Sequence, residues 1–226
     1  MATDAPSQSS LSKTLQKLLV CFSLEWLTIL PDLYRLLHQW WHRYQHEGTY
    51  EVLSYRATLE LVDVKGKTAI FKKQQHIKFL QANIIALEDY AWGDGDIFVD
   101  YKCSPGVLVD RYQEGDRWNV VISLRETKNA GDVTNFYIER TVKNGFTNAD
   151  EAWQVEMRNR TRYLKLEIIF PKERRCKRAL LVPRNHHRST LLGPAHFSEL
   201  PDGRQVLTWE TEKIKRFEIY TLRWRW

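Results

Sequence analysis

The chain has 226 residues, 43% hydrophobic and 12% aromatic, enough to bury a substantial core without covalent staples. Its three cysteines, Cys21, Cys103 and Cys176, lie far apart with no C-x-x-C pair, which excludes a fully paired disulfide framework and points to a reducing cytoplasm. The formal charge of +6 is unevenly placed: Glu156 to Arg188 holds eleven Lys or Arg against three acids, whereas Phe79 to Tyr101 holds five acids and no Lys or Arg. Such a bipolar chain can steer charged partners if the fold keeps the two patches apart.

Met1 to Ser10 is polar and slightly acidic, so Leu18 to Leu30 lacks the basic flank and small-residue cleavage site of a secretory signal, and no export is expected. From Leu11 to Leu30 the apolar residues Leu11, Leu15, Leu18, Leu19, Phe22, Trp26, Ile29 and Leu30 recur at helical spacing. Pro31-Asp32 suits a second helix start, because proline loses no needed donor there and a carboxylate meets the positive end of the dipole. In that second stretch Leu33, Leu36, Leu37, Trp40, Trp41 and Tyr44 form another stripe, and Gly48 is a fitting stop. The expectation is an amphipathic helical segment or helical hairpin over residues 1–48, preceded by a polar tail. A bilayer span needs about 20 mostly apolar residues; Glu25, Pro31, Asp32 and Arg35 break the run, so docking on protein or lying at a membrane surface is expected instead.

The period changes from Tyr50 onward. Leu53, Tyr55, Ala57, Leu59 and Leu61 alternate with Ser54, Arg56, Thr58 and Glu60, which predicts a strand with Leu53 and its alternates facing inward. Val64-Lys65-Gly66-Lys67 reads as a turn, and Thr68 to Phe79 returns with Phe71, Ile77 and Phe79 inward. Further strands are predicted at 83–90, 97–101, 107–112, 117–125, 135–142, 163–170, 178–182, 205–211 and 216–226, separated by Gly-, Asp- and Asn-rich turns. Trp153 and Met157 are four apart, so 148–160 is the weak spot of the strand pattern and is open to a short helix. Many short strands with regular turns predict a mainly β chain, a β-sandwich of Ig-like or jelly-roll-like type over residues 49–226. Its alternative is a split near 144–150 into two small sandwiches.

The ending carries Leu200-Pro201-Asp202-Gly203-Arg204, then Trp209-Glu210-Thr211, then Tyr220, Leu222, Trp224 and Trp226 at alternate positions. It resembles the endings of uncharacterised bacterial β-rich proteins. The resemblance covers under a fifth of the chain and implies no activity.

Three constellations bear on chemistry. His38, His42 and His46 recur every four residues on one side of a helix, as zinc-chelating imidazoles can, but they lack the glutamate of H-E-x-x-H and occupy the polar side, so a solvated face is the simpler reading and no metal is expected. Asp89, Asp94, Asp96 and Asp100 offer hard oxygen ligands without the spacing of an EF-hand loop, and Gly93-Asp94-Gly95-Asp96 reads more simply as a turn. Arg158, Arg160, Arg162 and Lys165, followed by Lys172, Arg174, Arg175, Lys177 and Arg178, form a basic stretch that could meet an anionic partner or merely protect strand edges.

No G-x-S-x-G, P-loop or dinucleotide fingerprint occurs. The sequence therefore predicts a non-enzymatic, cytoplasmic bacterial protein-interaction module without cofactor, whose helical segment docks a partner or self-associates. The partner or membrane face is expected at Leu18, Phe22, Trp26, Leu30, Leu33, Leu37, Trp40 and Trp41. Two alternatives stay open: a membrane-surface effector, peripheral at the inner membrane, using those helices and the basic patch, and nucleic-acid binding through the basic residues between 158 and 178. No small-molecule substrate is evident from the sequence.

Overall fold

The computed structural model describes residues 48–184 and 189–226, and the helical calls on residues 1–47 lie outside them. Compactness divides the chain after His46, and the second unit, Glu47–Trp226, is the β-domain. Fourteen strands are described: β1 Tyr50–Leu61, β2 Thr68–Phe79, β3 Ile84–Ala91, β4 Tyr101–Ser104, β5 Val107–Glu114, β6 Arg117–Lys128, β7 Val133–Lys143, β8 Asp150–Met157, β9 Leu164–Ile169, β10 Arg178–Pro183, β11 Thr190–Leu192, β12 Phe197–Glu199, β13 Gln205–Thr211 and β14 Glu218–Arg225, with one 3-10 turn at Pro194–His196. None of the described helical residues forms a helix long and apolar enough to cross a membrane.

The chain is mainly β, as its alternation predicts, but its strands form three sheets where a sandwich has two. A seven-stranded sheet runs β12-β13-β9-β1-β2-β7-β4, a four-stranded one β11-β10-β14-β8, and a three-stranded one β3-β6-β5. Nothing divides the strands near 144–150, the alternative to one β-domain: β9, from the second half of the chain, pairs in parallel with β1 from the first, setting Leu166 beside Ala57. Strands from both sides of that point thus share one hydrogen-bonded ladder.

Local chemistry sets the hairpins. Asp63 ends β1 by accepting three backbone N–H bonds, from Lys65 at 2.9 Å, Lys67 at 3.2 Å and Thr68 at 2.7 Å. Gly66 in the same turn has φ +67°, and a Cβ there would lie 1.7 Å from the Phe146 carbonyl oxygen, so only glycine fits.

Three local expectations are corrected. A bulge between Val52 and Ser54 shifts the register of β1, so Val52 is buried and Leu53 only half-buried. The stretch 148–160, open to a short helix, holds strand β8: Trp153, Val155 and Met157 are buried at alternate positions, the strand period, and pair with β14. The strand expected at 97–101 begins only at Tyr101, after a lone bridge from Asp96 to Lys143. The short strands β11 and β12 were not foreseen, since three-residue strands carry too few alternations to register as a period.

The core forms where the inner face of the seven-stranded sheet meets the other two sheets. Leu164, Leu166 and Ile168 of β9 are wholly buried, flanked by Leu59 and Leu207. Against the four-stranded sheet this face packs through rings, with Phe71 edge-on to Trp153 at 5.9 Å, Phe170 to Trp224 at 6.1 Å and Trp209 tilted on Tyr220 at 5.2 Å. Tyr220, Leu222, Trp224 and Trp226 are all buried, as their alternation predicts.

Candidate functional site

The inward positions of β2, β7 and β3 hold charges among apolar residues. Phe71, Lys73 and Ile77 share one face of β2; Phe136, Ile138, Arg140 and Val142 share that of β7; Leu87, Asp89 and Ala91 share that of β3. Register then brings the charges together. Phe71 lies opposite Arg140 and Arg140 opposite Tyr101, while Lys73 lies opposite Ile138 in the next row. Asp89 reaches across from the three-stranded sheet. Its carboxylate accepts from the Lys73 ammonium and from the Tyr101 hydroxyl at 3.0 Å.

Beside this cluster opens a cavity of about 800 Å³, walled by β1, β2 and β7 on one side and by the edge strands β3 and β8 on the other. Tyr55, Phe71, Trp153, Lys73, Asp89 and Arg140 are among its walls. The two edge strands are tied to each other at one side. Tyr90 Oη donates to the Glu156 carbonyl at 2.7 Å, Trp92 Nε1 donates to Gln154 Oε1 at 3.1 Å, and Arg117 bonds the Glu156 carboxylate at 2.8 Å. Arg158 caps this joint, stacked 4.0 Å over the Tyr90 ring and bonded to Glu156 at 3.1 Å.

Arg140 is the unusual member. It is 9% exposed, its Nε has no hydrogen-bond partner, and the side chain makes no ion pair among the described residues. Its guanidinium lies 4.3 Å over the Phe71 ring and 5.6 Å from that of Phe98, contacts that favour a cation without neutralising it. Burial lowers its pKa, and the nearby Asp89 opposes that shift. Because Asp89 already pairs with Lys73, the three charges Lys73, Asp89 and Arg140 leave one net positive charge facing the cavity.

The tyrosines around it stay neutral. Burial, followed by the charge of Asp89, pushes the Tyr50 hydroxyl up to about 12; burial, then Tyr90 and Asp89, raises Tyr55 well above its usual value. Burial and Asp89 raise Tyr101 as well. Each therefore remains an O–H donor near neutral pH. No histidine, cysteine or serine lines the cavity among the described residues, and no described cluster of His, Cys, Asp or Glu has the makings of a metal site.

The sequence-predicted sites are placed as follows. His38, His42, His46 and the apolar faces from Leu18 to Trp41 lie outside the described residues. Asp89 belongs to the cavity cluster; Asp94, in the loop after β3, also lines the cavity, whereas Asp96 in that loop caps the Phe98 N–H at 3.1 Å. The basic stretch disperses. Arg162 makes a double contact with the buried Glu51 at 2.9 and 3.0 Å, and Lys165 pairs with Glu167 at 2.9 Å. Arg174 stacks on Trp226 at 3.7 Å while bonding the carbonyls of Val64 and Asn148, and Arg175 pairs with Glu199 at 2.8 Å. Arg160, Lys172, Lys177 and Arg178 are exposed. Cys103 donates to the Gly106 carbonyl at 3.7 Å, and burial raises its thiol pKa.

Lys73 and Arg140 escaped the sequence reading. The signal that finds them is parity: a Lys or Arg at the inward beat of a strand whose other inward residues are apolar.

No known protein family and no curated protein sequence matches the chain. Among solved structures, a variant of the M1 zinc metallopeptidase from Deinococcus radiodurans bound to the peptide Tyr-Ser-Ala superposes with a TM-score of 0.48 at 7% identity, over 77% of this chain and 42% of that one. The same organism's M1 zinc metallopeptidase gives 0.46 at 7% identity, over 78% and 42%. The chain thus spans less than half the length of the enzymes it superposes on.

Proposed function

We propose that the β-domain is a non-catalytic binding module whose working site is the cavity between its three sheets. The observation that carries this reading is the 800 Å³ space bounded by closely packed strands. Protein interiors are otherwise close-packed, and a volume of that size falls within the range of small-molecule sites, roughly 300 to 1,000 Å³. Aromatic and aliphatic walls with a few buried polar groups are the usual composition of such sites. The lining holds no serine, cysteine or histidine among the described residues, and its Lys73 is held as an ion pair by Asp89, which favours binding over covalent turnover.

Ligand-detected NMR with a mixture of aromatic acids, amides and alcohols tests the reading. Binding is expected to the full chain and to vanish in Leu87→Trp, which fills the cavity from β3. Failure of every fragment to bind, or equal binding to the filled variant, contradicts it.

A second reading keeps the chain as a protein-interaction module. Ile85, 64% exposed, and Val109, 56% exposed, favour it by leaving apolar surface on the three-stranded sheet. If that surface mediates self-association, gel filtration of the full chain shows an oligomer that Val109→Lys converts to monomer. An unchanged elution volume contradicts this second reading.

A further inference from the structure

We infer that the cavity takes a ligand bearing a single carboxylate, seated on the Arg140 guanidinium beside the Tyr55 hydroxyl, with an apolar or aromatic body against Phe71 and Trp153. This rests on reading the cavity as a ligand site and adds the chemical class of what enters it.

The argument begins from charge. An arginine that is nine-tenths buried and lacks an ion-pair partner is costly, because desolvation of the cation is not repaid. Lys73 and Asp89 already satisfy one another, and Tyr101 takes a further position on the carboxylate. Arg140 is therefore left with two aromatic faces and an open side toward the cavity. One added negative charge neutralises the cluster; two would leave a buried excess of the opposite sign.

The donors point the same way. Arg140 has only N–H groups to offer, and Tyr55 Oη makes no hydrogen bond among the described residues. These donors at Arg140 select an acceptor-rich group there. A guanidinium is planar, and its parallel N–H bonds match the two oxygens of a carboxylate. The apolar part follows from the rings, since Phe71 links Arg140, at 4.3 Å, to Trp153, at 5.9 Å, along the same wall.

A matched pair of probes tests this. Phenylpropionate and phenylpropionamide share shape and ring but differ in charge, and calorimetric titration of each into the full chain at neutral pH compares them. The acid is expected to bind about tenfold tighter or more, the scale of a hydrogen bond to a charged group, and this preference is expected to disappear in Arg140→Met. Equal affinity for acid and amide in the unaltered protein overturns the carboxylate inference while leaving the cavity as a ligand site. A preference that persists in Arg140→Met overturns the role of Arg140. If neither probe binds, the inference of a carboxylate with an aromatic body falls, while the fragment mixture decides the ligand-site reading separately.

Discussion

The two halves of the seven-stranded sheet fill equivalent inward positions in opposite ways. Around β9 and the Leu59 end of β1 the inner face is Leu164, Leu166, Ile168 and Leu59, all at or below 1% exposure, with Tyr55 of β1 left to the cavity. Across β2, β7 and β4 the same face carries Lys73, Arg140 and Tyr101, met by Asp89 from another sheet. One half is built to pack. The other keeps polar groups out of water beside an open space, an arrangement that lowers stability unless binding restores it. The difference teaches that parity alone decides which residues face inward, while residue type decides what that face is for.

Substitution should separate the halves, beginning with the ion pair. Lys73→Met leaves Asp89 buried with only the Tyr101 hydroxyl and should destabilise the domain by about 3–5 kcal/mol, the cost of breaking a buried pair from one side. Chemical denaturation measures it, and a loss below about 1 kcal/mol would mean that Asp89 is satisfied in some other way. Leu166→Ala, in the packed half, should cost about 3 kcal/mol from lost burial and the void left behind.

The third substitution reverses sign. Arg140→Met removes a cation without an ion-pair partner and puts an apolar chain of similar reach between Phe71 and Phe98, so it should raise stability by about 1–2 kcal/mol. A large loss in the denaturation midpoint would instead make Arg140 a structural residue like Leu166. Stabilisation together with lost carboxylate preference is the signature of a group kept for binding.

The smallest effect lies at the turn joining the halves. Burial works against the Asp63 carboxylate, but the N–H groups of Lys67, Thr68 and Lys65 outweigh it and hold its pKa below the ordinary 3.8. Its contribution is therefore fully present above that ordinary value and is lost as pH falls through the depressed one. Asp63→Ala should cost about 1 kcal/mol at neutral pH, as loss of a capping carboxylate does. The gap between variant and parent should close at the acid end of a pH series of melting curves; a gap independent of pH would mean that the side chain acts by packing rather than by charge.

Much of the fold was legible because alternation is a local signal. The strands β1, β2, β7, β13 and β14 follow directly from inward residues two apart. What one strand cannot reveal is its neighbour. The parallel joining of β9 to β1, and hence the three sheets, depends on pairings more than a hundred residues apart. β8 was ambiguous because Trp153 and Met157, four apart, satisfy helix and strand periods alike, and only Val155 between them distinguishes the two. The cavity was illegible for a different reason. Arg140, Lys73 and Asp89 each look like an ordinary solvent-facing charge until the beat of each strand is assigned. The basic run from Arg158 to Arg178 showed the converse: charges adjacent in sequence turned to separate partners, Glu51, Glu199 and Trp226 among them.

The Arg140 Nε–H resonance reads the central claim most directly. In nitrogen-15 spectra of the full chain it should move further on titration with phenylpropionate than with phenylpropionamide, as the guanidinium it belongs to gains a charged acceptor. A resonance that stays in place with both, while other cavity residues respond, would show that the ligand passes Arg140 by.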